Sequence, residues 1–382
     1  MMKKLLAALL VLTMAVSLAA CGKKAGKVKV DLPDKKVAIL VAPESQDPET
    51  FRRAKELEAA YPKNVVVREY ADSRVLKAGD PEIKTIAEEL AADETVGALV
   101  FARATQFTDI AISAAKAKNP ALKFLCVEPE QTLAKLAERA DYVFCCDWSK
   151  AAPAIITQAK AQGAETFVML SFDRQLNDNA LTSGARVAFE TACKEQGLTF
   201  YYEPSTDPIF SGGIAKAQQY IAESAARLRR NQKIANENVC LFSTDSSVQT
   251  ALLTLAEKNG FVYVSPAFPS VYTGVAELFP DLKAPEKVKD TAAFLTALKE
   301  AVGANASKAR LAAYTYPLAA TLLDGAVFTA FDLLTGKMGE DPAAHAIDRL
   351  KEAAGDGFEA AAFSENLKNV IVGYAPGFET LK

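Results

Sequence analysis

The chain has 382 residues, half of them hydrophobic and 24% charged, with a formal net charge of −3. That is globular composition, long enough for two ordinary domains. A mildly acidic chain without a Lys/Arg-dense tract argues against nucleic-acid binding, because phosphate affinity comes from clustered cations. The single histidine, His345, removes most His-based acid–base, triad and metal chemistry. It follows Asp341-Pro342, a helix start, so it reads as a solvated helix residue.

Lys3 and Lys4 precede an apolar run from Leu5 to Val16. The run is shorter than the ~20 residues a membrane span needs, so it reads as a signal-peptide core. A buried helix is the alternative, but the run has no polar face to make one amphipathic. Leu18-Ala19-Ala20-Cys21 closes it and resembles the lipobox of bacterial lipoproteins. The resemblance implies a signal peptide over 1–20, cleavage before Cys21, and lipid with palmitate acyl chains on that thiol. The protein would then sit outside the cytoplasmic membrane, touching it only through the anchor. Removing Lys3 and Lys4 takes the charge from −3 to −5. Residues 21–35, with Lys23, Lys24, Lys27 and Lys29, read as a tether whose cations suit anionic lipid.

From Lys36 short apolar runs alternate with amphipathic stretches. Val37 to Val41 is uninterrupted apolar, as a strand buried on both faces requires. Asp47-Pro48-Glu49 starts a helix to about Ala60, with Asp as N-cap and Pro at the first helical position. Asp80-Pro81-Glu82 repeats that start, for a helix to about Ala92. Strands are predicted at Asn64–Tyr70, Gly97–Phe101, Lys123–Val127 and Asp141–Cys146, with a helix over Gln106–Lys118. A second series follows. It has helices at Trp148–Ala161, Asn179–Gln196, Gly213–Arg230 and Ser246–Lys258, and strands at Thr166–Ser171, Thr199–Glu203, Asn238–Ser243 and Phe261–Pro266. Pro285–Val302 and Leu318–Leu334 are predicted helical, and Arg310–Tyr316 and Val370–Tyr374 extended. Twofold βα alternation implies two doubly wound, Rossmann-like parallel-sheet domains.

Cys126, Cys145, Cys146, Cys193 and Cys240 are odd in number and sit among strand-like apolar neighbours, so they read as buried small hydrophobes. A vicinal disulfide between Cys145 and Cys146 is the alternative; on a strand their side chains point to opposite faces.

The leader, the first strand at Val37–Val41, a crossing near Asp147-Trp148 and a return near Tyr316-Pro317 together resemble the type I periplasmic-binding-protein fold. Basic-membrane-protein nucleoside binders and uncharacterised lipoproteins share that build. The resemblance implies two α/β domains joined by a multi-crossover hinge. The first domain would take 36–147 plus about 308–336, the second 148–307 plus about 337–382.

Ligands of such sheets bind beyond the carboxyl ends of the strands, so the residues following each strand are the candidates. Asp245, in Ser243-Thr244-Asp245-Ser246-Ser247, looks like the strand-end aspartate of sugar binders in this fold; an ionised carboxylate accepts from ligand hydroxyls. It could equally N-cap the next helix. Asp173 carries a similar ligand reading, with Asn177 or Asp178 the candidate caps of the next helix. Arg103, after an apolar strand, would grip a ligand anion or pair with a cleft carboxylate. Trp148, the only Trp, is a stacking wall or hinge packing. Glu44 and Ser45 follow the first strand, and Gln106 the third; each is a ligand contact or loop surface. Tyr316 is a hinge residue or a cleft wall. Glu128-Pro129 follows the fourth strand.

No GxGxxG after a strand, no GxxxxGK[ST], no GxSxG elbow and no CxxC pair occurs. No metal, cofactor or enzymatic activity is expected. The expected function is binding of a small polar ligand, a sugar, nucleoside or similar, for an ABC-type permease. A sensor or scaffold lipoprotein of the same fold is the alternative. Hydrolysis by Asp173 and Asp245 is a third reading. A DNA-binding regulator of this fold would need a helix-turn-helix where residues 1–35 carry a leader and tether.

Overall fold

A computed structural model describes residues 28–71, 76–77, 80–208, 213–230, 234, 238–266, 270–305 and 308–382. Cys21, the leader and residues 22–27 lie outside the described residues.

The first sheet is built from β1 (Lys36–Val41), β2 (Val65–Glu69), β5 (Val96–Phe101), β6 (Lys123–Val127) and β7 (Tyr142–Cys146), completed by β13 (Glu359–Ser364) and β14 (Leu367–Tyr374). Its order is β13-β14-β7-β6-β5-β1-β2, parallel except for the β13–β14 hairpin at one edge. A separate small ribbon pairs β3 (Leu76–Lys77) with β4 (Asp80–Pro81). The second sheet takes β8 (Thr166–Ser171), β9 (Thr199–Pro204), β10 (Val239–Ser243), β11 (Val262–Val264), β12 (Arg310–Tyr314) and β15 (Phe378–Thr380), in the order β15-β12-β11-β10-β8-β9. It is parallel except for β15 at the edge.

Helices cover both faces of each sheet. Val37, Ile39 and Val41 face α1 (Pro48–Ala60), α12 (Leu318–Thr335) and α13 (Pro342–Ala354), while Ala38 and Leu40 face α2 (Glu82–Ala92), α3 (Thr108–Lys118) and α4 (Leu133–Arg139). This alternation is why the β1 run is apolar throughout. On the second sheet, α5 (Trp148–Ala161) and α7 (Ala180–Gln196) cover one face. The other takes α8 (Gly213–Ala222), α9 (Ser224–Arg230), α10 (Gln249–Asn259) and α11 (Thr291–Ala304). A short α6 (Asp173–Asp178) precedes α7. The architecture is α/β with two domains. Asp47 caps α1 as its sequence predicts, accepting from Thr50 N at 3.2 Å. Cys146 and Cys145 on β7 enter opposite cores, and all five described cysteines are free and buried.

α12 is apolar enough by composition to cross a membrane, but 83% of it is buried in this fold. It is the central helix of the first domain. Gly325 lets α13 approach so closely that a Cβ there would lie 2.8 Å from Leu350 Cδ1 and 3.3 Å from Leu350 Cα. The two acidic residues of α12, Asp324 and Asp332, are paired inward. Asp332 binds Arg349 and, at 2.8 Å, His345 Nε2. His345 is therefore a partner of a buried carboxylate, not a solvated residue.

The chain crosses between domains three times, at Asp147, at 315–317 and at 375–377. The crossings are mutually bonded: Asp147 N donates to Gly373 O at 3.0 Å and Thr315 N to Gly377 O at 3.1 Å. The third crossing makes the tail divide differently from expectation. β12, expected in the first domain, joins the second sheet. α13, β13 and β14, expected in the second, complete the first. Periodicity identifies a strand but not its neighbours.

Two further expectations are corrected. Asp80-Pro81 does not start a helix. It forms β4, and α2 begins at Glu82, whose Oε2 accepts from Ala71 N at 2.9 Å. Residues 28–35 are not free tether. Val28 and Val30 pack on the first core, Asp31 pairs with Lys337, and Pro33 O accepts from Asn64 Nδ2 at 2.6 Å.

Candidate functional site

The carboxyl ends of β5, β6 and β7 meet the carboxyl end of β10 and the starts of α6 and α7 across a cleft between the domains. The first domain contributes Arg103, Glu128, Pro129 and Glu130. Gln175, Asn179, Thr182 and the run Phe242–Ser246 come from the second, with Trp148 at the crossing. The enclosed space is about 80 Å³.

Arg103 leaves β5 by two residues and is held by its surroundings. It forms an ion pair with Glu130 and donates from Nη2 to Ser246 Oγ at 3.0 Å, a bond that spans the cleft. Glu130 is fixed by its backbone: its N donates to Ala104 O at 2.9 Å and its O accepts from Gln106 Nε2 at 3.0 Å. Gln106 thus positions Glu130 rather than lining the cleft.

Glu128 has φ of 45°, in the left-handed region, and precedes Pro129, which disfavours helical backbone before it. That geometry turns its buried side chain back along β7, where Oε1 accepts from Cys146 N at 2.8 Å. Burial pushes the carboxyl up to about 7, opposed by the Cys146 bond and the Arg103 charge.

Asp245 accepts from Ser247 N at 2.9 Å, so it caps a single 3-10 turn before α10 and also lines the cleft. Thr244 Oγ1 donates to Gln175 Oε1 and accepts from Ser171 Oγ at 2.7 Å. Asn179 donates to Pro129 O at 3.0 Å, a second bond across the cleft. Trp148 packs edge-on to Phe242, with ring centroids 5.9 Å apart, and against Phe189 at 6.1 Å.

A family profile described as "Protein of unknown function (DUF3798)" matches residues 35–312. The chain belongs to the DUF3798 family. An uncharacterized protein of Treponema pallidum (strain Nichols) is 25% identical over 203 residues, which is 52% of this chain and 93% of that protein. A crystal structure described as a transcriptional regulator from Clostridium difficile 630 superposes with a TM-score of 0.63 at 17% identity, covering 92% of this chain and all 100% of that one. An ABC transporter solute-binding protein from Clostridium phytofermentas, solved with L-rhamnose, gives a TM-score of 0.53 at 10% identity, over 92% and 97% of the two chains. At these identities the likeness is one of fold, the two-domain type I periplasmic-binding-protein-like arrangement.

In this DUF3798 chain the cleft gathers three of the eight expected ligand contacts, Arg103, Trp148 and Asp245. Gln106 stands behind it. Glu44 and Ser45 are exposed, with Glu44 3.9 Å from Arg52. The buried polar residue of this loop is Asp47, two positions beyond Ser45, which caps α1 behind the cleft lining. Asp173 is exposed on the first turn of α6; two residues on, about half a turn round the helix, Gln175 faces the cleft instead. Tyr316 sits at the second crossing, donates to Ala354 O at 3.0 Å and packs on Phe358. Sequence reasoning placed Glu128-Pro129 among the strand-end residues without giving it a role, and did not name Glu130, although both acids follow β6. The signal was Glu-Pro-Glu directly after an apolar strand.

Proposed function

We propose that this protein is a lipid-anchored, extracytoplasmic solute-binding protein that closes its two domains over one small polar ligand, a sugar, nucleoside or similarly hydroxylated compound, and hands it to an ABC-type permease. Cys21 would carry the lipid. The observation that carries this reading is the enclosed cleft, to which both domains bring hydrogen-bonding side chains beside an aromatic wall. Closure needs no chemistry, only tighter binding to the closed state.

The cavity of about 80 Å³ is small, which favours one small ligand over a longer oligosaccharide. A scaffold would instead present a contiguous apolar patch. The exposed large apolar side chains among the described residues, Leu32, Ile110, Val187 and Phe363, lie on four separate segments.

The test is a thermal-shift panel of monosaccharides and nucleosides on the chain from residue 21, with Cys21→Ser to keep it lipid-free. A binder should raise Tm progressively with its concentration, and Asp245→Asn should weaken that effect. No shift with any member, together with no retained small molecule by native mass spectrometry, rejects the reading.

A further inference from the structure

The polar groups of the cleft divide unevenly. Among the described residues its lining carries three carboxylates, Glu128, Glu130 and Asp245, and one cation, Arg103. Arg103 is spoken for by Glu130 and Ser246. The lining amides also turn donors toward the protein: Asn179 to Pro129 O, Gln175 to Thr244 O and Gln249 to Ser243 O. The carboxylates are less committed. Asp245 spends Oδ1 on Ser247, and Glu128 spends Oε1 on Cys146 N. The capacity left for a ligand is therefore weighted toward anionic acceptors.

An independent observation points the same way. Asp47 is 5% exposed, and while Oδ1 caps α1, its Oδ2 has no hydrogen-bond partner. Its charge acts on both Arg103 and Glu128. A buried carboxylate oxygen left without a donor is costly, and the cost falls when a donor or cation arrives. Arg103 is shared among Glu130, Asp47 and Asp245, and burial leaves Glu128 only partly ionised near neutral pH, so one cation faces three other carboxylates and the site keeps a negative excess. Trp148 and Phe242 add aromatic rings, whose faces attract cations.

We infer that the cleft selects a hydroxylated molecule bearing a positively charged nitrogen, with the ammonium directed to the Glu128–Asp245 side and the hydroxyls to the amides and Thr244. This rests on the ligand-binding reading above and narrows its ligand class. A neutral polyol would satisfy the acceptors but leave the negative charge uncompensated, and an anion would add to it.

Matched pairs differing only by amine for hydroxyl test this: D-glucose with D-glucosamine, D-galactose with D-galactosamine and D-mannose with D-mannosamine. They are titrated at neutral pH and low salt against the whole chain from residue 21. In at least one pair the amine should bind about tenfold or more tighter than its hydroxyl partner. Raising the salt should reduce that preference. Asp245→Asn should weaken the amine far more than its hydroxyl partner, so that the preference falls to about one, while an unchanged thermal midpoint of the ligand-free protein separates charge recognition from misfolding. Hydroxyl members that bind as tightly as, or tighter than, their amines overturn the inference and leave the ligand-binding reading standing. If no member binds and the wider panel is also silent, both fall.

Discussion

Glu49 is the most exposed to test among single residues, because its chemistry is set by position alone. It lies in the first turn of α1, is 1% exposed, and its Oε1 accepts from Ala320 N at 2.8 Å, at the start of α12. Burial raises its carboxyl from 4.5 to about 8, with the neighbouring Asp47 adding to the rise and Lys289 and the α12 amides opposing it. The folded state therefore holds this proton more tightly than the unfolded chain. Stability from Glu49 is full below pH 4.5 and falls as pH rises to about 8, by at most ~5 kcal/mol. Glu49→Gln keeps an acceptor for Ala320 N and removes the titration. Its denaturation midpoint should lose part of the fall between those pH values and exceed wild type at high pH. Parallel pH profiles would show that Glu49 stays ionised in the fold.

At the level of elements, α12 and α13 meet through Gly325. Gly325→Val would push a branched side chain into Leu350, and the overpacking is expected to cost ~1–3 kcal/mol. A lower denaturant midpoint at unchanged slope would show it; an unchanged midpoint would mean the helices part without penalty. Elements with both a cap and a period were legible in the sequence. α5 runs over Trp148–Ala161 and β8 over Thr166–Ser171, at the bounds their residues predict, because Asp147 caps one and an apolar run defines the other. Asp80-Pro81 misled because the same dipeptide that opens α1 also suits an edge strand, where Pro lacks no needed donor. At the site, strand ends located Arg103 and Asp245, since those follow the apolar run directly. Gln175 and Asn179 stayed hidden because they come from helix starts, and which turn of α6 faces the cleft depends on the other domain. Asp332 was invisible for a similar reason: its partners His345 and Arg349 lie on another helix.

Across the whole molecule, the domains are joined at places besides the crossings. On the cleft side Arg103 reaches Ser246 and Asn179 reaches Pro129. Elsewhere residues 285–289, which lead into α11, lie against the first domain. Arg52 donates to Pro285 O, Val288 N donates to Glu56 Oε1 at 2.7 Å, and Lys289 Nζ reaches Asp324 Oδ2 at 3.1 Å and Ala353 O at 2.8 Å. Arg53 holds the same Asp324 through two bonds, of 2.6 and 3.0 Å. Glu56→Ala should loosen this strap at Val288 while Arg52 and Lys289 still hold its ends. The Val288 amide is then expected to exchange about tenfold faster. Unchanged exchange would show that Val288 is protected by burial and not by this carboxylate.

The third crossing also sets the order in which the protein can become itself. The first domain begins at β1 yet needs α12, α13 and β14 to close its core, and β14 ends at Tyr374. The second domain waits for β15 at Phe378–Thr380. A chain synthesised from its N-terminus therefore carries an incomplete first sheet until β14 has been made and an incomplete second sheet until β15 has, so each domain's folding waits on strands that follow the other domain's segments.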